Sequence, residues 1–244
     1  MKEPLKDGLL FLDTADLGVI EKYMKLGFVD GVTTNPTIMK KCGVTGGFAV
    51  IRDYSKQIAK LIDPLPLSLE TSSPDGNELE ILEQAREFAT WGSNVNVKVT
   101  ITDQNGKPFL GVIKQLAKEG IKVNATAMMN AAQGLLAAKV GAKYVSIFLG
   151  RVANMQFDPV PVTEELRYML DRTGLEAQII AASSRESYNV LQWWKAGAHI
   201  ITVTPDLVKF CIQHPYTADT VKLFDGDAAD WLPGWKEWKA NHGK

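Results

Sequence analysis

Cysteine is nearly absent from this chain: Cys42 and Cys211 are the only two among 244 residues. Two thiols so placed build no disulfide framework and no metal-ligand spacing, and both read as packing thiols of a reducing compartment. Histidine is almost as scarce. His199, His214 and His242 form neither a triad nor a metal spacing and read as structural or solvated groups. No apolar run is long enough to span a bilayer, and residues 1–8 lack the apolar core of a signal peptide. A surplus of charge is missing too. With 27 basic and 28 acidic residues, the chain offers neither a basic footprint for nucleic acid nor an acidic tail. What is present is 45% apolar and 23% charged residues, the composition of an ordinary globular protein. No nucleic-acid or membrane partner is expected, and the expected location is the cytoplasm.

Short β-type runs alternate with amphipathic helical patterns from end to end. Strand patterns cover residues 9–14, 31–35, 66–71, 95–100, 122–126, 144–149, 176–183 and 199–204. Helical patterns fill 16–26, 48–62, 79–91, 109–118, 131–139 and 186–195, and several are closed by a glycine such as Gly27 or Gly141. Another helix ends near Gly174, with Thr163 read as its N-cap, and Pro205 can open a closing helix. Eight strands separated by helices are the pattern of a (β/α)8 TIM barrel, a single α/β domain of this length. A doubly wound open sheet competes, but no glycine-rich dinucleotide turn follows any strand. Residues 216–244 form a C-terminal helical extension of the 1–244 domain. Trp231, Trp235 and Trp238 in it are spaced for one helix face. So aromatic a tail reads as packed, on its own barrel or on a neighbouring subunit.

The stretch Asn94-Val95-Asn96-Val97-Lys98-Val99-Thr100 alternates valines with polar residues at the period of two. A lysine in mid-strand beside two asparagines is costly unless that side lines a polar cavity. The same alternation turns polar groups inward along the other strands. They are Asp13, Thr33 with Asn35, Ser68 with Glu70, Asn124 with Thr126, Ser146, Ser183, and Thr202 with Thr204, and Phe148 shares the inward face of Ser146. Each has an ordinary alternative. Asp13 could cap the helix starting near Asp16, Asn35 could make the turn before Pro36, and Glu70 could be only an ion-pair partner of Lys98. Thr126 and Ser146 could be satisfied core hydroxyls. The set says more than its members, because eight independent strands rarely place polar groups on one side by accident. Lys98 has two open roles, anion binding as a point charge or carbonyl attack to form a Schiff base. Arg151 after the sixth strand and Ser183-Ser184-Arg185 after the seventh lie where this architecture binds phosphate. Surface ion pairs of those arginines, for example with Glu186, are the alternative.

Five elements, in order along residues 10–215, carry a resemblance. They are Phe11-Leu12-Asp13-Thr14-Ala15, Asp30-Gly31-Val32-Thr33-Thr34-Asn35-Pro36-Thr37, Val97-Lys98-Val99, Glu119-Gly120-Ile121-Lys122-Val123-Asn124-Ala125-Thr126, and the run from Ala142 to Arg151. With these the chain resembles the transaldolase family, in the small single-domain branch that includes fructose-6-phosphate aldolases. The resemblance implies cofactor-free, metal-free class I aldol chemistry. It makes Lys98 the Schiff-base lysine, Asp13 the acid–base group, and Glu70 with Thr126 the holders of a proton-shuttling water. Asn35 and Ser146, among pocket residues that include Thr33 and Phe148, would bind the dihydroxyacetone part; Arg151, Ser183 and Arg185 would grip a sugar phosphate. Fructose-6-phosphate aldolases typically have glutamine at the Glu70 position and tyrosine at the Phe148 position, so both residues here match the transaldolase pattern. The resemblance also implies a homo-oligomeric ring, a pentamer or decamer. A sugar-phosphate isomerase using Asp13 and Glu70, and a non-catalytic sugar-phosphate binder, are readings of a different class. The chain departs from the family at Thr100, where proline is usual, in the longer loop 101–108, and at Ser184, where phenylalanine is usual. An unusual substrate preference is expected around Thr100 and that loop.

Overall fold

The computed structural model describes residues 7–243; the sequence reading of residues 1–6 lies outside them. Eight parallel strands close into a barrel in chain order. They are β1 (Leu9–Asp13), β2 (Gly31–Thr33), β3 (Leu67–Glu70), β4 (Val95–Thr100), β5 (Val123–Met128), β6 (Tyr144–Ile147), β7 (Gln178–Ala181) and β8 (Ile200–Val203). Pairing of β1 with β8, from Leu9 with Ile200 to Leu12 with Val203, completes the ring. The helices are α1 (Leu17–Met24), α2 (Pro36–Lys41), α3 (Phe48–Ile62), α4 (Glu78–Ala89), α5 (Leu110–Lys118) and α6 (Ala131–Lys139). They continue as α7 (Leu149–Asn154), α8 (Pro159–Thr173), α9 (Ser187–Lys195), α10 (Pro205–Ile212), α11 (Pro215–Asp227) and α12 (Leu232–His242). The expected (β/α)8 barrel is present, with further helices at the C-terminus. Among the described residues no helix is long and apolar enough to cross a membrane.

Three local readings change. Thr163 is not an N-cap. Asp158 caps α8, its Oδ1 accepting from Val160 N at 3.0 Å, and Pro159 supplies the first turn with its fixed φ. Thr163 sits one turn further in, where its hydroxyl donates to the Pro159 carbonyl at 3.2 Å. β6 ends two residues early, because Phe148 turns the chain and α7 begins at Leu149. Residues 36–41, assigned to no element in the sequence, are helix α2; Asn35 caps it and Pro36 opens it.

The chain divides into two compact units, one ending at Leu207 and one beginning at Val208. In the second, Trp235 and Trp238 stack with centroids 5.3 Å apart, and Trp238 stacks on His242 at 5.0 Å. Trp231 stands at the N-cap position of α12, so it joins the stripe from a turn rather than from the helix. No side chain of α11 or α12 is buried.

Inside the barrel, polarity is layered. Phe11, Tyr144, Ile180 and Ile200 make an apolar floor, with Phe11 and Tyr144 meeting edge-to-face at 6.4 Å. Burying such a phenylalanine stabilises the fold by roughly 1.5–3 kcal/mol. The ring needs Gly31, its register partner on β2, since a Cβ there would come within 2.7 Å of it. Above the floor runs a hydrogen-bonded row. Ser146 Oγ donates to Asn124 Oδ1 at 2.7 Å, and Asn124 Nδ2 donates to Ser68 Oγ at 3.1 Å. On the opposite side of the floor a second cavity of about 700 Å³, bordered by Asp7, Phe11, Tyr144, Arg167 and His199, shares no residue with the mouth at the C-terminal strand ends. His199 is structural there, its Nδ1 accepting from Ile179 N at 3.0 Å.

Candidate active site

At the end of β1, capping of α1 falls to Asp16, whose Oδ1 accepts from Val19 N at 2.9 Å. Asp13 is thereby left to the cavity, where its Oδ1 accepts from Thr33 Oγ1 at 2.8 Å. Burial holds its carboxyl above the usual carboxylate range. The Lys98 ammonium, the Thr33 hydrogen bond and Arg185 pull the other way, while the Glu70 charge adds to the rise. Asn35 does two things at once. Its Oδ1 caps α2 by accepting from Ile38 N at 2.9 Å, and its side chain lines the cavity with only amide protons left to give.

β3 and β4 deliver the centre of the site. Glu70 and Lys98 are register partners. Lys98 Nζ lies 3.0 Å from Glu70 Oε2 and donates to the Thr34 carbonyl at 3.0 Å. Lys98 is only 4% exposed. A buried ammonium with one carboxylate beside it is a group whose proton has somewhere to go. On β5, Thr126 is fully buried and borders the cavity, and among the described residues its Oγ1 has no hydrogen-bond partner. The backbone just past it is strained: Ala127 has φ 60°, where the β5–β6 register shifts. On β6, Ser146 has given its proton to Asn124 and offers only lone pairs to a ligand.

The late strands supply positive charge. Arg151 lies with its guanidinium 5.2 Å from the Phe148 ring centroid. Ser183 adopts φ 65°, and Gly150 packs so closely on its carbonyl that a Cβ would overlap the oxygen. Asn189 Oδ1 accepts from the backbone of Arg185 at 3.3 Å and of Glu186 at 2.9 Å, fixing that turn. Both arginines are exposed, and among the described residues neither forms a salt bridge, so the pairing with Glu186 is not made.

Asp13, Thr33, Asn35, Glu70, Lys98, Thr126, Ser146, Phe148, Arg151, Ser183 and Arg185 all border one cavity of about 470 Å³, a size suited to a small metabolite. Thr202 and Thr204 join them from the β8 side, as alternation places them. Ser184, read as part of the phosphate-binding segment, also lines it, as does Lys41, which had no role in the sequence reading; nothing in the Lys40-Lys41 pair marks one lysine as facing inward. Asn94 and Thr100 do not line it. Asn94 instead donates to the carbonyls of Ala59 at 3.0 Å and Leu65 at 2.8 Å, tying β4 to the end of α3.

The loop 101–108 is a correction too. Thr102 bridges Pro108, Asp103 accepts from Asn105 N and Lys107 N at 2.8 Å, Gln104 donates to the Pro74 carbonyl, and Lys107 pairs with Glu78 at 2.6 Å. The loop is folded against residues 74–78 and contributes nothing to the cavity wall. Of the three departures from the family pattern, only Ser184 borders the cavity. Among the described residues no group of three or more His, Cys, Asp or Glu side chains comes together to hold a metal ion.

Residues 10–243 match the family described as "Transaldolase/Fructose-6-phosphate aldolase". A "Probable transaldolase" of Streptococcus agalactiae serotype V (strain ATCC BAA-611 / 2603 V/R) is 38% identical over 224 residues, covering 91% of this chain and 96% of the relative. A "Probable transaldolase" of Streptococcus pyogenes serotype M5 (strain Manfredo) is likewise 38% identical, covering 91% and 98%. The chain belongs to the transaldolase/fructose-6-phosphate aldolase family.

Proposed function

We propose that this protein is a class I transaldolase, moving a dihydroxyacetone unit from a ketose phosphate such as fructose 6-phosphate to an aldose phosphate such as erythrose 4-phosphate. The observation that carries the reading is Lys98, a buried amine 3.0 Å from Glu70 in a cavity shared with Asp13. Glu70 accepts the ammonium proton, and the free amine attacks the ketose carbonyl. The carbinolamine loses water to give an imine, with Glu70 and the uncommitted Thr126 hydroxyl holding the water that carries protons. Asp13 then takes the proton of the C4 hydroxyl while the C3–C4 bond breaks, and its electron pair flows into the imine to form an enamine. The aldose phosphate leaves. An acceptor aldehyde is attacked by the enamine carbon, Asp13 returns the proton to the new hydroxyl, and water hydrolyses the imine.

Asn35 donates to the three-carbon unit and Ser146 accepts from it, so a primary hydroxyl satisfies both. Arg151, Ser183 and Arg185 hold the phosphate, and Arg suits that task by its planar fork. Glu70 and Phe148 support transfer over release of free dihydroxyacetone. Cys42 and Cys211, both free thiols, support a reducing, cytoplasmic setting. We also propose a homo-oligomer, a ring of five or ten subunits, supported by the aromatic helices α11 and α12, in which no side chain is buried.

The test is reductive trapping. With fructose 6-phosphate and borohydride, mass spectrometry should find a three-carbon adduct on the peptide containing Lys98, and Lys98→Ala should lose it. Adding erythrose 4-phosphate before reduction should discharge the adduct. Accumulation of free dihydroxyacetone would move the activity to an aldolase, and the absence of any adduct at Lys98 would sink both and favour the isomerase.

A further inference from the structure

Two threonines stand behind Asp13, of which Thr202 has no assigned task and Thr33 is so far read only as a substrate-binding residue. Thr33 Oγ1 lies 2.8 Å from Asp13 Oδ1 and 2.6 Å from Thr202 Oγ1. A hydroxyl has one proton to give, and an ionised carboxylate can only accept. Thr33 therefore spends its proton on Asp13 and must accept at its other contact, which makes Thr202 the donor there. With Asp13 ionised, the row runs Thr202 to Thr33 to Asp13. Both threonines are buried, at 3% and 2% exposure, and their strands β8 and β2 flank β1 on its two sides. β-Branching restricts each hydroxyl to few rotamers. The Thr202 backbone is anchored in turn, since its carbonyl accepts from Ser184 Oγ at 3.1 Å.

We propose that Thr202 is a positioning residue for Asp13, acting through Thr33: the hydroxyl row holds one carboxylate oxygen and leaves the other facing the cavity for the reacting hydroxyl. Asp13 Oδ2 has no hydrogen-bond partner among the described residues. The proposal rests on the reading of Asp13 as the acid–base group and adds what keeps that group aimed and charged. It also gives Thr33 a task other than holding substrate, because its only proton is committed to Asp13. Donation to the charged form favours ionisation, and donors in series polarise one another, so Thr202 strengthens what Thr33 supplies.

The pH profile of kcat/KM for transfer from fructose 6-phosphate to erythrose 4-phosphate reads this out. Cleavage needs Asp13 ionised, so activity falls on the acid side. Asp13→Asn should abolish that limb along with most activity. Thr33→Val should move the limb up by about one pH unit and Thr202→Val by about half a unit, with Thr202→Ser restoring it. The double variant Thr33→Val/Thr202→Val should match Thr33→Val alone, because the two groups act in series. Should the valine at 202 prevent folding, Thr202→Ala removes the same hydroxyl with less bulk. If loss of the Thr202 hydroxyl leaves the limb in place, or its shift adds to that of Thr33→Val, the row is overturned while Asp13 keeps its role. An acid limb that survives in Asp13→Asn overturns the role of Asp13, and the row with it.

Discussion

Asp13 occupies a position that the fold itself resists. Burial raises its carboxyl above the ordinary range despite the Lys98 ammonium nearby, so the folded chain binds that proton more tightly than the unfolded chain does. A raised folded-state value contributes stability below the unfolded carboxylate value, about 3.9, and that contribution is lost as pH rises through the folded value. Once ionised, the carboxylate is therefore a burden on stability. Asp13→Asn should raise the thermal midpoint at pH 7 by about 2–4 °C while removing catalysis. Calorimetry at descending pH should show the gap closing toward pH 4. An Asn variant less stable than the parent at pH 7 would mean that the Thr33 and Lys98 contacts outweigh burial. Glu70 and Lys98 form an ion pair across adjacent strands, and removing one partner leaves a buried charge alone.

Element by element, the mouth is held by backbone as much as by side chains. α7 stands on the turn after β7: Gly150 touches the Ser183 carbonyl, and Ser183 holds φ 65°. Gly150→Ala must push these apart, and with them Arg151 and Arg185. The expected result is a rise of roughly 10-fold or more in KM for the sugar phosphate, while dihydroxyacetone, which has no phosphate, still traps on Lys98 under borohydride. Unchanged KM would show that the two turns do not set the phosphate grip. Little of this packing was legible beforehand. α3, β4 and α6 were read with their observed bounds because each has an uninterrupted period. α2 and α7 were missed because six residues each are too few for a helical period to show. Thr163 was mistaken for a cap because Asp158-Pro159, the real start signal, lay a turn earlier. Alternation found the inward groups from β1 to β8, since a side chain's face on a strand follows from parity alone. It could not find Lys41, which lies on a helix, nor the inward bend of Ser184, nor that Asn94 falls outside β4 and turns to α3. The loop 101–108 misled for the opposite reason: its length is plain in the sequence, but its docking on residues 74–78 is a tertiary fact.

At the scale of the whole molecule, α11 and α12 carry aromatic side chains that their own unit leaves unburied. Sedimentation velocity should find a multiple of the 26.8 kDa chain, and replacing Trp235 and Trp238 by serine should shift the population toward the single chain. One 26.8 kDa species for the unsubstituted protein at micromolar concentration would overturn the ring. The barrel, meanwhile, is shut at one end. Phe11, Tyr144, Ile180 and Ile200 plug it beneath the polar row, and the cavity beyond them has no wall in common with the mouth. A chamber with a single door imposes an order on its visitors. In the transfer proposed above, the aldose fragment cut from the donor would leave through the opening by which the acceptor enters, so the two would take turns. Water would reach the proposed three-carbon intermediate by that same door, and whichever sugar stood in it would keep the fragment dry.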